Sequence, residues 1–174
     1  MMRVRTARAT AFSDVSAPLR GIAFGAAGIV SVLSVVAIGR AAAGFADIPA
    51  GAKEIAVIIH IAAVLPAVPL GLYVLMTPKG DARHRMLGKV WMVLMLVTAL
   101  SALFIRHING GNFSFIHLFV PLVVVMMLRA ISAARRGRID AHKRHMVSLF
   151  LLGLLLPGLF AFVPGRLLWH WLVD

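Results

Sequence analysis

Five apolar runs, each close to the length that crosses a bilayer, constrain this chain more than any other feature. A hydrocarbon core about 30 Å thick takes roughly 20 residues of helix. The runs are Gly21 to Gly39, Ile55 to Met76, Met86 to Ile105, Phe113 to Leu128 and Met146 to Trp171. The fourth can extend past Arg129 through Ala130 to Ala134. No two-residue alternation competes with them, and a helix satisfies its own backbone where no water can. Composition agrees, with 61% hydrophobic and 14% charged residues, against about 45–50% and 25% in soluble domains. The expected fold is all-α, a polytopic membrane protein of five transmembrane helices. An N-terminal segment 1–20 precedes helices at about 21–43, 54–77, 82–106, 113–134 and 141–172.

A net charge of +12 would suggest nucleic acid in a soluble chain. Here the cations sit in short loops between membrane-length runs, so no nucleic-acid partner is expected and the bias reads as topology. Lys and Arg accumulate on the cytoplasmic side. With the N-terminus inside, that side collects Arg3, Arg5, Arg8 and Arg20, then Lys79, Arg83, Arg85 and Lys89. Arg129, Arg135, Arg136, Arg138, Lys143 and Arg144 join them, leaving only Arg40, Lys53, Arg106 and Arg166 outside. The expectation is a cytoplasmic N-terminus and a periplasmic C-terminus. The first run is longer than a signal-peptide core, and Arg40 interrupts it before Ala41-Ala42-Ala43; it reads as a signal anchor.

Asp81 and Asp140 precede the third and fifth runs and are placed to cap their first turns. Trp169 and Trp171 mark the outer interface, with Tyr73 and Trp91 toward the inner one. Met92, Met95, Met126 and Met127 read as core filling.

Within this frame one pattern repeats. Ile59-His60-Ile61 and Ile116-His117-Leu118 each open an apolar run, and each run ends in a basic loop carrying His84 or His142 and His145. Pro66 and Pro121 follow the two histidines and are expected to kink their helices. Helices two and four run the same way, so a parallel duplication of two hairpins, forming a four-helix core with a peripheral first helix, is the expectation. His60 lies about 10 Å down its helix at 1.5 Å per residue, and His117 about one turn down. Their side chains should point into one bundle interior. Below His60, the small residues Ala63, Ala67 and Gly71 form a stripe. It would admit another helix backbone or a flat macrocycle.

The chain has no cysteine, so any metal must use histidine, methionine or carboxylate. Two imidazoles on facing helices suit the axial positions of a b-type haem. His60 and His117 are the expected outer haem and iron ligands, and His84 with His142 or His145 an inner pair. Arg106 and Arg166 outside, or Arg83, Arg85 and Arg144 inside, would receive propionates. The plainer reading of His60 and His117 is a histidine hydrogen-bonded between helices, and that of the inner group is contact with lipid headgroups. His107 and His170 read as interfacial polar residues. No zinc-protease, nucleophile-elbow or phosphate-loop motif is present.

Several stretches resemble a family of small bacterial integral membrane proteins catalogued as a domain of unknown function. They are Ile59-His60-Ile61, His84-Arg85-Met86-Leu87-Gly88-Lys89, Gly110 to Leu118 and His142-Lys143-Arg144-His145-Met146. The resemblance covers about helices two to five and implies a bacterial inner membrane protein, without an activity. The layout of the histidines is similar to that of the ascorbate-reducible di-haem cytochromes b. That similarity implies an outer haem between His60 and His117 and an inner one between His84 and His142 or His145. The leading functional expectation is a haem b protein passing electrons, with the bilayer and a quinone or a respiratory or photosynthetic complex as partners. Two further readings are an accessory subunit or homo-oligomer packed through its small residues, and a binder of small molecules or lipids.

Overall fold

The computed structural model describes residues 15–78, 80–106 and 109–173. Arg3, Arg5, Arg8, Lys79 and His107, to which the sequence gives topological or interfacial roles, lie outside the described residues. Those described are helical, with no strand among them. Five helical segments are long and apolar enough to cross a membrane: Ala17–Ala42, Ile55–Met76, Ala82–Ala102, Phe115–Arg135 and Ile139–Phe160.

The first three spans are single helices, α1 (Ala17–Ala42), α2 (Ile55–Met76) and α3 (Ala82–Ala102). The fourth opens with a 3-10 turn, Phe115–Leu118, and continues as α4 (Phe119–Arg135). The fifth comprises α5 (Ile139–Phe150), a π-helical stretch Leu151–Leu155 and α6 (Leu156–Phe160); a separate short helix α7 (Leu167–Val173) follows. Helices α2 and α3 form one hairpin and α4 and α5 another; α3 borders α4, while α1 lies against α2 and α7.

Large apolar side chains cover the outside. Ile22, Val32, Ile55, Val93 and Leu128 are all exposed, as lipid-facing residues are where lipid is as apolar as leucine. The interior is built by close approach of small and bulky partners. Ala67 and Gly71 of α2 receive the fully buried Trp91 of α3. The Trp91 indole donates to the Ala67 carbonyl at 2.8 Å, and Phe150 of α5 lies beside it with ring centroids 6.4 Å apart. The small-residue stripe is therefore filled by α3, leaving no slot for a macrocycle there.

Several local expectations change. The last run does not continue as one helix to 172. Pro157 lacks the N–H that would bond one turn back, and beside it the Leu156 N–H reaches the Leu151 carbonyl in a π turn. The chain then turns at Gly165, whose φ of +83° a side-chain-bearing residue resists. Pro121 is the third residue of α4, just after the 3-10 turn, whereas Pro66 and Pro69 lie inside α2. Asp81 does cap α3, accepting the His84 N–H at 2.7 Å. Asp140 does not cap α5, because the turn through Gly137 makes Arg138 the capping position. Asp140 instead sits in the first turn, 3.7 Å from Lys143.

The aromatic residues also move inward. Trp171 is buried against Ala37, Ala41 and Ala52; its indole donates to the Asp47 carbonyl and its own carbonyl accepts from Arg40, both at 3.1 Å. Trp91 is a core residue, not an interfacial one. Trp169 and Tyr73 remain exposed, with the Arg83 guanidinium 5.3 Å from the Tyr73 ring centre. Met95 and Met127 are buried and Met92 and Met126 pack against the same core.

Candidate functional site

Between α1, α2, α3, the start of α4 and the α6–α7 turn the bundle holds a partly open cavity of about 240 Å³. Its walls are mainly aliphatic, including Val30, Val64, Met95 and Val123, and Gly153 of the π-helical stretch forms part of its floor. The polar groups that reach it are few: His60, His117, Thr98, Ser34, Asn109, Ser114 and Arg166 among them. An apolar hollow with a small convergent polar set is the usual form of a small-molecule site. Both histidines of the repeated tripeptide thus line one cavity, although they do so from different local structures.

His60 sits in the second turn of α2. Its Nδ1 lies 2.9 Å from the Thr98 carbonyl and 3.1 Å from the Ser101 hydroxyl on α3. A carbonyl can only accept, so Nδ1 carries the proton and donates to it. The Ser101 hydroxyl spends its own proton on the Val97 carbonyl at 2.7 Å, which leaves its oxygen to accept as well. Neutral His60 therefore holds a bare lone pair on Nε2, and no described residue bonds to that atom.

His117 is held within its own turn. It is the last turn residue of a capping box in which the Ser114 side chain bonds the His117 backbone and the His117 ring bonds the Ser114 backbone. The Ser114 N–H donates to Nδ1 at 3.0 Å. The Ser114 carbonyl lies 3.1 Å from the same nitrogen, so Nδ1 is bonded in either neutral tautomer: it accepts from the N–H or donates to the carbonyl. The Nε2 of His117 is buried with no partner among the described residues, as is Oγ1 of Thr98. His117 is 8% exposed, and Phe113 packs edge-on against it with centroids 5.0 Å apart. Buried polar atoms in native proteins are nearly all paired, so these two, in the wall of one cavity, mark where a polar ligand atom would gain most.

Of the outer arginines, Arg166 lines the cavity. Arg106 does not; its guanidinium lies 5.1 Å from the Phe113 ring centre. The other histidines are held elsewhere. His84 opens α3 behind its Asp81 cap, and Arg85 donates to the Gly80 carbonyl at 2.6 Å. The Nδ1 of His142 is 3.0 Å from the Ala130 carbonyl and ties α5 to α4. His145 lines a separate basic pocket whose wall does not include His84. Among the described residues no group of three or more His, Cys, Asp or Glu side chains is placed to hold a metal ion.

Sequence reading did not single out Thr98, Ser101, Asn109 or Ser114. Two weak signals point to them: Thr98 and Ser101 are hydroxyls three apart in an otherwise apolar run, and Ser114 stands three before His117, the spacing of a capping box.

No curated protein and no solved structure matches the chain. A model of a family of predicted membrane proteins, DUF2306, matches residues 57–166, from the second turn's approach to His60 through both hairpins to Arg166. The matched region is more than half of the chain, and the protein belongs to that membrane protein family of unknown function.

Proposed function

We propose that the protein is a membrane receptor site for a small, flat, apolar molecule carrying two hydroxyl groups, the chemistry of a quinol. One observation carries this reading: two histidines, each anchored through Nδ1, line one largely apolar cavity. The bare Nε2 of His60 accepts from one hydroxyl, and the buried, unpartnered Nε2 of His117 accepts from or donates to the other, according to its tautomer. The Thr98 hydroxyl serves either role, and the aliphatic walls take the ring. The Lys/Arg distribution supports a cytoplasmic N-terminus, which puts the cavity in the periplasmic half of the inner membrane.

A b-type haem would have to use the same cavity. Haem would supply one-electron transfer at its iron, and His60 fits it, since Nδ1 is held by a carbonyl and Nε2 is bare, the arrangement of a ligating histidine. His117 would present a bare Nε2 only in the tautomer that gives its Nδ1 proton to the Ser114 carbonyl, 3.1 Å away, in place of the Ser114 N–H bond that closes the capping box. At about 240 Å³ the cavity also falls below the roughly 300–1,000 Å³ of drug-sized sites, and a haem is larger than most such ligands.

The test uses the full chain in neutral detergent, titrated with a short-chain benzoquinone and its quinol. Saturable binding of the quinol is expected, weakened at least tenfold by His60→Leu and by His117→Phe and unchanged by His142→Leu. Absence of binding, or binding indifferent to His60 and His117, overturns the proposal. A visible spectrum of protein from haem-replete cells decides the competitor: a Soret band abolished by His60→Ala and His117→Ala establishes haem in place of a quinol.

A further inference from the structure

At the opposite end of the bundle, where α4 turns into α5, lies a second hollow of about 150 Å³. Its polar lining is Arg129 and Ser132 from α4, Arg136 and Arg138 from the turn, and His145 from α5. No carboxylate contributes to it. The sequence reading of the inner basic cluster is contact with lipid headgroups; the structure adds a concavity with named walls.

We propose that this pocket binds a phosphate group, supplied by the headgroup of an anionic phospholipid or by phosphate in solution. The first reason is charge. Three arginines line one small hollow, and no ion pair joins any of them to an acid among the described residues. Asp140, the acid nearest in the chain, lies beside Lys143 and is 82% exposed. Like charges within about a Debye length of 8–10 Å repel, so the cluster is stabilised by an anion that bridges it, and arginine forks match phosphate oxygens in pairs.

The second reason is preorganisation. The turn is a Schellman motif: the Arg138 N–H bonds the Ala133 carbonyl at 2.9 Å and the Gly137 N–H bonds the Ala134 carbonyl at 3.1 Å. Gly137 takes the left-handed conformation that this requires, at φ +68°. Arg136 and Arg138 thus leave a fixed backbone on either side of Gly137, so binding has only their side chains to order. The third reason is position. The pocket sits at the junction of two spans, the level of lipid phosphates. Arg129, six residues inside the end of α4, can extend its side chain to that level. Leu128 and Ile131, exposed on the same helix, would lie against acyl chains.

Native mass spectrometry of the full chain tests this, with phosphatidylglycerol, phosphatidylcholine and inorganic phosphate as separate probes. Retention of phosphatidylglycerol is expected to exceed that of phosphatidylcholine at least tenfold. Arg136→Gln combined with Arg138→Gln should abolish the preference, while Arg135→Gln, one cation removed outside the pocket, should leave it nearly intact. The same pattern with inorganic phosphate alone assigns the site to a soluble anion; with the lipid alone, to the membrane. A preference that falls in proportion to charge in both variants overturns the proposal, because a general surface potential would then explain it. A readout on the unmodified chain guards against misfolding of the double variant. Phosphatidylglycerol or phosphate should slow phenylglyoxal modification of Arg136 and Arg138 relative to Arg135, and equal rates at all three positions also overturn it.

Discussion

Replacing Gly71 by alanine tests the close approach on which the α2–α3 hairpin depends. A methyl at that position would collide with Nε1 of Trp91 and lie 2.7 Å from its Cε2 and 3.0 Å from Cδ2 of Phe150. The obstruction is not the tip of a flexible chain. Trp91 is fully buried, its N–H is anchored on Ala67 at 2.8 Å, and Phe150 blocks its retreat. Relief means separating two helices or turning the indole off its acceptor. Overpacking of this kind costs about 1–3 kcal/mol, and an interhelical hydrogen bond in a membrane protein is worth about 0.6 kcal/mol. Against these stands a gain of about 0.5–1 kcal/mol from removing a helical glycine. The net expectation is a loss of about 1–2 kcal/mol, close to a tenfold change in the unfolding equilibrium. Gly88 of α3 supplies the control, since nothing lies within 4 Å of a methyl built there; Gly88→Ala should gain about 0.5–1 kcal/mol. Dodecyl sulfate titration in mixed micelles, followed by tryptophan emission, reads both. A Gly71→Ala protein that unfolds at the same or a higher detergent fraction than the parent refutes the packing argument.

Two further perturbations separate alternatives. Asp81→Ala should cost about 0.5–2 kcal/mol through loss of the α3 cap, whereas Asp140→Ala, which removes no cap, should cost less in the same titration. Thr98→Val removes a buried hydroxyl with no partner and keeps its shape; stability should be unchanged or rise slightly, and a loss above about 1 kcal/mol would reveal a bond to Oγ1. In the quinone titration the same variant should weaken binding less than His60→Leu or His117→Phe, because Thr98 supplements the two histidines.

The spans were legible in the sequence because one physical condition dictates them. Backbone in hydrocarbon must bond to itself, so any uninterrupted apolar run of sufficient length is helical, whatever it packs against. The loop charges and the Asp81 cap are read in the same local way, from residues a turn or less apart. The repeated histidine motif was visible too, and so was its expected direction into the bundle. What the sequence could not supply is everything that depends on a partner from another helix. Whether the stripe Ala63, Ala67 and Gly71 makes a slot or a contact depends on Trp91, 24 residues beyond Ala67. Whether Trp171 faces lipid depends on α1, at the other end of the chain. Most of all, the two histidines look alike as tripeptides and are held differently. A carbonyl of α3 fixes the proton of His60 on Nδ1, whereas His117 is tied to the N–H and carbonyl of Ser114 in its own turn. That both rings nevertheless line one cavity is decided by the packed helices alone.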